Sequence, residues 1–124
     1  MKELDQTIFR GIQAFQAAYN RAANKKTRQI KTLREIGGTG AERLINDVQI
    51  KFDENLREMQ KKHGASVRHY VSMIEDEAVK KQVRYMANMC IRHPEKCGTF
   101  QTAEEFYQWC GVEGMLTDTV NKPP

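Results

Sequence analysis

Serine is nearly absent from this chain. Only Ser66 and Ser72 occur, and neither stands in a G-x-S-x-G elbow, which excludes the arrangement a serine hydrolase needs. The three histidines, His63, His69 and His93, are scattered; His63 reads as a helix C-terminal residue and His69 as a surface one. No apolar run approaches the roughly 18 residues of a membrane span, and Met1–Gln6 holds no signal-peptide core, so a soluble, cytoplasmic protein is expected. No segment alternates with a period of two, and no Asn-Gly hairpin signal occurs. Internal repeats and low-complexity tracts are missing too. Gly37-Gly38-Thr39-Gly40 is glycine-rich but lacks the G-x-x-x-x-G-K-[ST] phosphate loop, and it reads as a linker.

What remains is helical. Leu4, Ile8, Ile12, Phe15, Tyr19 and Ala22 recur at spacings of three and four, and Ile30, Leu33 and Ile36 resume the register. No proline interrupts this stretch, and Gly11 alone would cost a helix about 1 kcal/mol. One helix over 3–36 is therefore expected. Its polar middle, residues 23–29, offers no apolar face, so the helix should project or pack on another chain. Ile8, Ile12, Phe15 and Tyr19 would then form a homodimer interface, which Phe15→Asp should weaken without loss of helicity.

The glycine linker ends this helix. Thr39 could cap the next, with Glu42 at the capping-box position. Leu44, Ile45, Val48, Phe52, Leu56 and Met59 form the second stripe, which Gly64 should end. Ser66 then reads as the N-cap of a third helix. Glu75-Asp76-Glu77 opens a fourth, where carboxylates favour the positive helix end, and His93-Pro94 stops it. Thr102-Ala103-Glu104-Glu105 is another capping box, opening a short helix with Ala103, Phe106, Tyr107 and Cys110 on one face. Gly111 and Gly114 should end it. The fold expectation is all-α: a single domain, 1–124, with a long N-terminal helix (1–36), a helical core (41–92), a short terminal helix (100–112) and a flexible tail (117–124).

Two sets of side chains invite chemistry. Cys90, His93, Cys97 and Cys110 form a C-x2-H-x3-C-x12-C pattern whose types suit tetrahedral zinc. The set lacks a C-x2-C knuckle, and Cys90 and Cys110 fall on apolar stripes, so buried thiols are favoured over zinc or a Cys97–Cys110 disulfide. The expectation is no cofactor. The other set is basic. Net charge is +4, and residues 1–62 hold 13 Lys/Arg against 8 Asp/Glu while residues 63–124 hold 7 against 8. Arg21, Lys25, Lys26, Arg28, Lys31 and Arg34 carry most of the excess. Such a patch can attract nucleic acid or an acidic protein face, or be simply a solvated helix face. Aromatic interleaving of the kind single-strand binders use is missing.

Lys62-His63-Gly64-Ala65-Ser66, Ile74-Glu75-Asp76-Glu77-Ala78 and Arg84-Tyr85-Met86 resemble the lambda-type Gam family of phage host-nuclease inhibitors. The resemblance implies an all-α dimer with a long helix ahead of a compact body. It also implies a function without catalysis: occupying the host RecBCD helicase–nuclease so that DNA ends cannot enter. Gly64, Ser66 and Glu75–Glu77 would be scaffold, as turn, cap and helix start. The expected function is thus a phage-encoded inhibitor or adaptor that binds a host protein; the alternative is a small basic helical protein that binds nucleic acid through residues 21–34.

Overall fold

The computed structural model describes residues 2–112. Four α-helices occur in order: α1, Glu3–Ile36, α2, Ala41–Val71, α3, Glu77–Arg92, and α4, Ala103–Cys110. A single 3-10 turn, Pro94–Lys96, lies between α3 and α4. Among the described residues there is no strand, so the fold is all-α with its longest helix first. No helix of the described residues is long and apolar enough to cross a membrane.

α1 is one uninterrupted helix of 34 residues, continuous through the polar stretch 23–29. Its C-cap residue Gly37 has φ of 67° and its N–H donates to the carbonyl of Leu33. Gly38 follows at φ of 95°. Two successive residues in this region, which side chains avoid, explain why the turn is built of glycine. Thr39 does not cap α2. The N-cap residue is Gly40, with no side-chain capping bond.

α2 departs most from expectation. It runs 31 residues without a break through His63-Gly64-Ala65-Ser66, so Gly64 is not a helix stop, Ser66 is not an N-cap and His63 is not a C-terminal residue. A helix interior tolerates one glycine at about 1 kcal/mol, and burial of Val67 and Val71 beyond it outweighs that cost at roughly 1.5–3 kcal/mol for each buried side chain. The chain turns instead at Ser72–Asp76. Asp76 caps α3, its Oδ1 accepting from the N–H groups of Ala78 (2.9 Å) and Val79 (3.1 Å). α3 ends at His93, before Pro94, as the proline requires.

α4 opens with the anticipated capping box. The Glu105 N–H donates to Thr102 Oγ1 at 3.2 Å, and Glu105 Oε2 accepts from the Gln101 N–H at 2.9 Å. Gly111, in the left-handed conformation, closes it. Gly114 and the tail over 117–124 lie outside the described residues.

α1 and α2 run antiparallel, since Gly11 meets Val67, Phe15 meets His63 and Tyr19 meets Phe52. The first half of α1 and the last turns of α2 are covered by α3 and α4. One hydrophobic cluster results, in which Ile8, Ile12, Phe15, Val83, Cys90, Phe106 and Tyr107 are completely buried. Ile8, Ile12 and Phe15 are therefore core residues, not a dimer face. The stripe found its partner within the chain because the C-terminal helices fold back over it. Phe15→Asp would put a charge in the core and unfold the protein. Tyr19 is half-buried, edge-on to Phe52 with ring centroids 6.2 Å apart, and belongs to the intramolecular seam.

Three glutamines and a tyrosine tie the body together. Gln60 Nε2 donates to the Ile91 carbonyl (3.0 Å) and Gln82 Nε2 to that of Cys110 (2.9 Å), meeting carbonyls that a helix C-terminus leaves without a partner. Buried Gln16 clamps the loop before α4: its Nε2 donates to the Gly98 carbonyl (2.7 Å) and its Oε1 accepts from the Phe100 N–H (3.4 Å). The Tyr107 hydroxyl donates to the Asp5 carbonyl at 2.7 Å.

Candidate functional site

From residue 17 to residue 63 no residue is fully buried. This stretch is the second half of α1, the glycine turn and the first three-quarters of α2. Its base still meets the body, where Asn20 donates to Thr99, Gln60 to the Ile91 carbonyl, and Leu56 and Met59 pack against the core; beyond that it forms a two-helix arm about 20–25 Å long at 1.5 Å per residue. Its seam is thin. Phe52 sits at the centre, touched by Tyr19 on one side and by the Lys26 ammonium, 4.0 Å from the ring centroid, on the other. That cation–π contact gives the polar middle of α1 a packing role that apolar periodicity does not reveal.

The arm also holds the charge excess. Residues 17–63 contain 11 Lys/Arg against 6 Asp/Glu, and the rest of the chain 9 against 10. The six basic residues singled out in the sequence do not form one patch. A groove of about 500 Å³ is lined by Lys26, Ile30, Lys31, Arg34, Glu35 and Gln49. Arg28 lies in a different groove of about 780 Å³, with Leu33, Leu44, Asp47, Val48, Ile50, Lys51 and Glu54. A smaller hollow brings Lys25, Lys26 and Lys51 around Phe52. Helical register puts the first two grooves on opposite flanks of the seam. Arg21 is exposed and lines none of the three. The two flanks differ in kind. The Lys31–Arg34 flank is basic, whereas the Leu44–Glu54 flank is apolar with two cations and two anions at its rim.

The thiols lie inside the body. Cys90 and Cys110 are buried and Cys97 half-buried, all three free. Burial, with the adjacent Cys97, pushes the Cys90 thiol far up, and burial raises Cys110 to about 12. Cys97 is also raised by burial, against a hydrogen bond with Cys90 that pulls it down. These thiols stay protonated at neutral pH, which suits packing rather than nucleophilic attack. His93 is turned outward, with Nδ1 3.8 Å from Glu95 and over half of its side chain exposed. Among the described residues no three His, Cys, Asp or Glu side chains are placed to hold a metal ion.

The other polar side chains that catalysis might recruit have structural roles. His63 packs edge-on to Phe15, 5.8 Å between centroids, and His69 lies edge-on to Tyr70 at 5.2 Å. The Ser72 hydroxyl donates to the His69 carbonyl.

Sequence reasoning missed Gln16, Gln60 and Gln82, whose roles leave no local pattern. Ile36 and Leu44, assigned to the apolar stripes, are instead exposed at 74% and 50%, and Ile50, 45% exposed, was missed although it is an apolar residue outside the stripe register.

No family model matches this chain, and no match was found among curated proteins or solved structures.

Proposed function

We propose that the chain is a non-enzymatic inhibitor or adaptor that lays its two-helix arm on another macromolecule. The observation that carries this reading is the arm itself: 47 consecutive residues with none fully buried, holding the whole positive excess of the protein. A body with a closed core has no need of such an extension for its own stability, and loose charged helices are held only where they meet something. The buried, protonated thiols and the packing of His63 against core Phe15 support a role without catalysis.

The Lys62–Met86 resemblance supports a phage-encoded protein in the host cytoplasm, with a RecBCD-type helicase–nuclease as target. On this reading the basic flank, Lys31 and Arg34, meets an acidic or nucleic-acid-lined surface of the enzyme. The test is degradation of linear duplex DNA by purified RecBCD with the full chain added. Degradation should fall as the protein is titrated, and Lys31→Glu with Arg34→Glu should restore it, because reversal of rim charges slows association. Undiminished degradation at about 10 µM, a concentration that should reveal any micromolar affinity, would refute the target.

The positive excess of the arm favours one second reading, direct binding of nucleic acid. A mobility shift at low salt that weakens steeply as salt rises is its signature. The absence of a shift at low salt would remove it.

A further inference from the structure

The body carries a charge pattern of its own. From residue 78 to residue 94 there is no Asp or Glu, yet Lys80, Lys81, Arg84 and Arg92 stand there. We propose that the paired outer faces of α2 and α3 bind the phosphate backbone of duplex nucleic acid, at a site separate from the Lys26–Arg34 flank and independent of what the arm meets.

Helical register brings the cations together. The turn at Ser72–Asp76 sends α3 back along α2, and Gln60 Nε2 donates to the carbonyls of Ile91 (3.0 Å) and Arg92 (3.4 Å). The two helices are therefore antiparallel neighbours. On α2, Arg57, Lys61 and Arg68 lie within about 40° of one another and about 60–100° round from Gln60, at 3.6 residues per turn. On α3, Lys81, Arg84 and Arg92 lie within about 80° of one another, turned away from buried Val79, Val83 and Ala87. All six are exposed. Gln60 stands level with Arg92, and eight residues further along each helix Arg68 comes level with Arg84. Two basic rows result, each about 16 Å long and separated by the roughly 8–10 Å between packed helices.

Nothing within the described residues neutralises these rows. None of the six cations forms an ion pair there. Glu58 and Glu77 sit at the margins, and Glu77 is held by Lys80 at 3.0 Å. Like charges gathered on one face repel, and a polyanion relieves that repulsion. Four of the six are arginines, whose planar fork grips phosphate oxygens in pairs. An acidic protein would need a well-packed apolar centre to anchor it, and this face offers none. Of the exposed large apolar residues, Ile36, Leu44 and Ile50 belong to the arm and Met73 to the turn, which leaves Tyr85 at the edge of the α3 row. A lone tyrosine also falls short of the stacking platform that single strands require. A duplex needs no stacking: it carries one negative charge per roughly 1.7 Å of axis, so 16 Å presents about nine phosphates to the six cations.

The test is fluorescence anisotropy of a duplex of about 20 base pairs and arbitrary sequence, titrated with the full chain at about 25–200 mM salt. With six phosphate contacts, log K should fall against log salt with a slope of about −5, or about 1,000-fold between about 50 and 200 mM. Arg68→Ala with Arg84→Ala should reduce the slope by about 2. Lys61→Ala with Arg92→Ala, at the other end of the face, should do the same. All four residues are exposed, and an unchanged circular dichroism spectrum separates contact from folding effects. No binding at about 25 mM salt would overturn the proposal, and would remove direct binding of nucleic acid by the arm with it. A slope that falls for Lys31→Ala with Arg34→Ala but for neither body pair would overturn it and leave the arm as the binding surface. Displacement of the duplex by polyglutamate as readily as by unlabelled duplex would overturn it in favour of an acidic protein partner.

Discussion

Two glycines inside helices make a sharp test of how this fold is packed. A methyl group added at Gly11 of α1 would stand 2.9 Å from Val67 Cγ2, and one added at Gly64 of α2 would stand 2.9 Å from Arg68 Nη1. The distances are equal but the obstacles are not. Val67 is 2% exposed and lies in the core, and a β-branched side chain has one strongly preferred rotamer in a helix. It can move only if the α1–α2 spacing opens. Arg68 is exposed, and its guanidinium is the free end of a flexible chain. Each Gly→Ala change gains about 1 kcal/mol of helix propensity. At Gly11 the contact with a core residue places the overpacking cost in the upper part of the usual range, about 2–3 kcal/mol, for a net loss of about 1–2 kcal/mol. At Gly64 the arginine swings aside and most of the gain survives, about 0.4–1 kcal/mol. Gly11→Ala should therefore destabilise and Gly64→Ala stabilise. Urea unfolding followed by helical circular dichroism measures both, at matched protein concentration. Gly11→Ala with Val67→Ala should show coupling, since the second change removes the obstacle of the first. If Gly11→Ala were as stable as the parent, or Gly64→Ala lost more than about 1 kcal/mol, a magnitude well beyond ordinary surface substitutions, the helix contacts described here would be wrong.

Gln16→Ala should cost about 1–3 kcal/mol, because the Gly98 carbonyl and the Phe100 N–H lose their partner; hydrogen exchange should rise locally at Gly98–Phe100, and unchanged exchange there would refute the clamp. Burial, with the neighbouring charge of Lys62, holds His63 below the ordinary histidine value of about 6.5. The unfolded chain then binds more protons than the folded one below that value, so the contribution of His63 is complete above it and declines as pH falls. The melting temperature should drop more between pH 7.5 and pH 5.5 in the parent than in His63→Leu, and equal drops would contradict the packing of His63 on Phe15.

Much of the architecture was legible where the signal is local. The extent of α1, the Asp76 start of α3, the stop at His93-Pro94 and the Thr102–Glu105 box follow from neighbouring residues, and the backbone obeys them. The same local logic misplaced the end of α2, because glycine and serine suggest a break that distant partners override. The destination of the α1 stripe was likewise hidden. Gln16 and Gly98 are 82 residues apart, and Tyr107 and Asp5 are 102 apart; periodicity says that a face is apolar, never what covers it. The splitting of the basic set was in principle readable. Lys26 and Arg28, two residues apart, point about 160° apart around a helix of 3.6 residues per turn, and proximity along the chain concealed their divergence.

The continuity of α1 and α2 from body to glycine turn has a mechanical consequence. Neither helix contains a joint, so the arm behaves as a stiff ruler rather than a tether. Whatever grips the turn is held at a fixed distance and bearing from the body, set by the number of helical turns. Reach is thus encoded in chain length alone, and evolution or an engineer could lengthen or shorten it by paired whole turns without disturbing a single contact of the core.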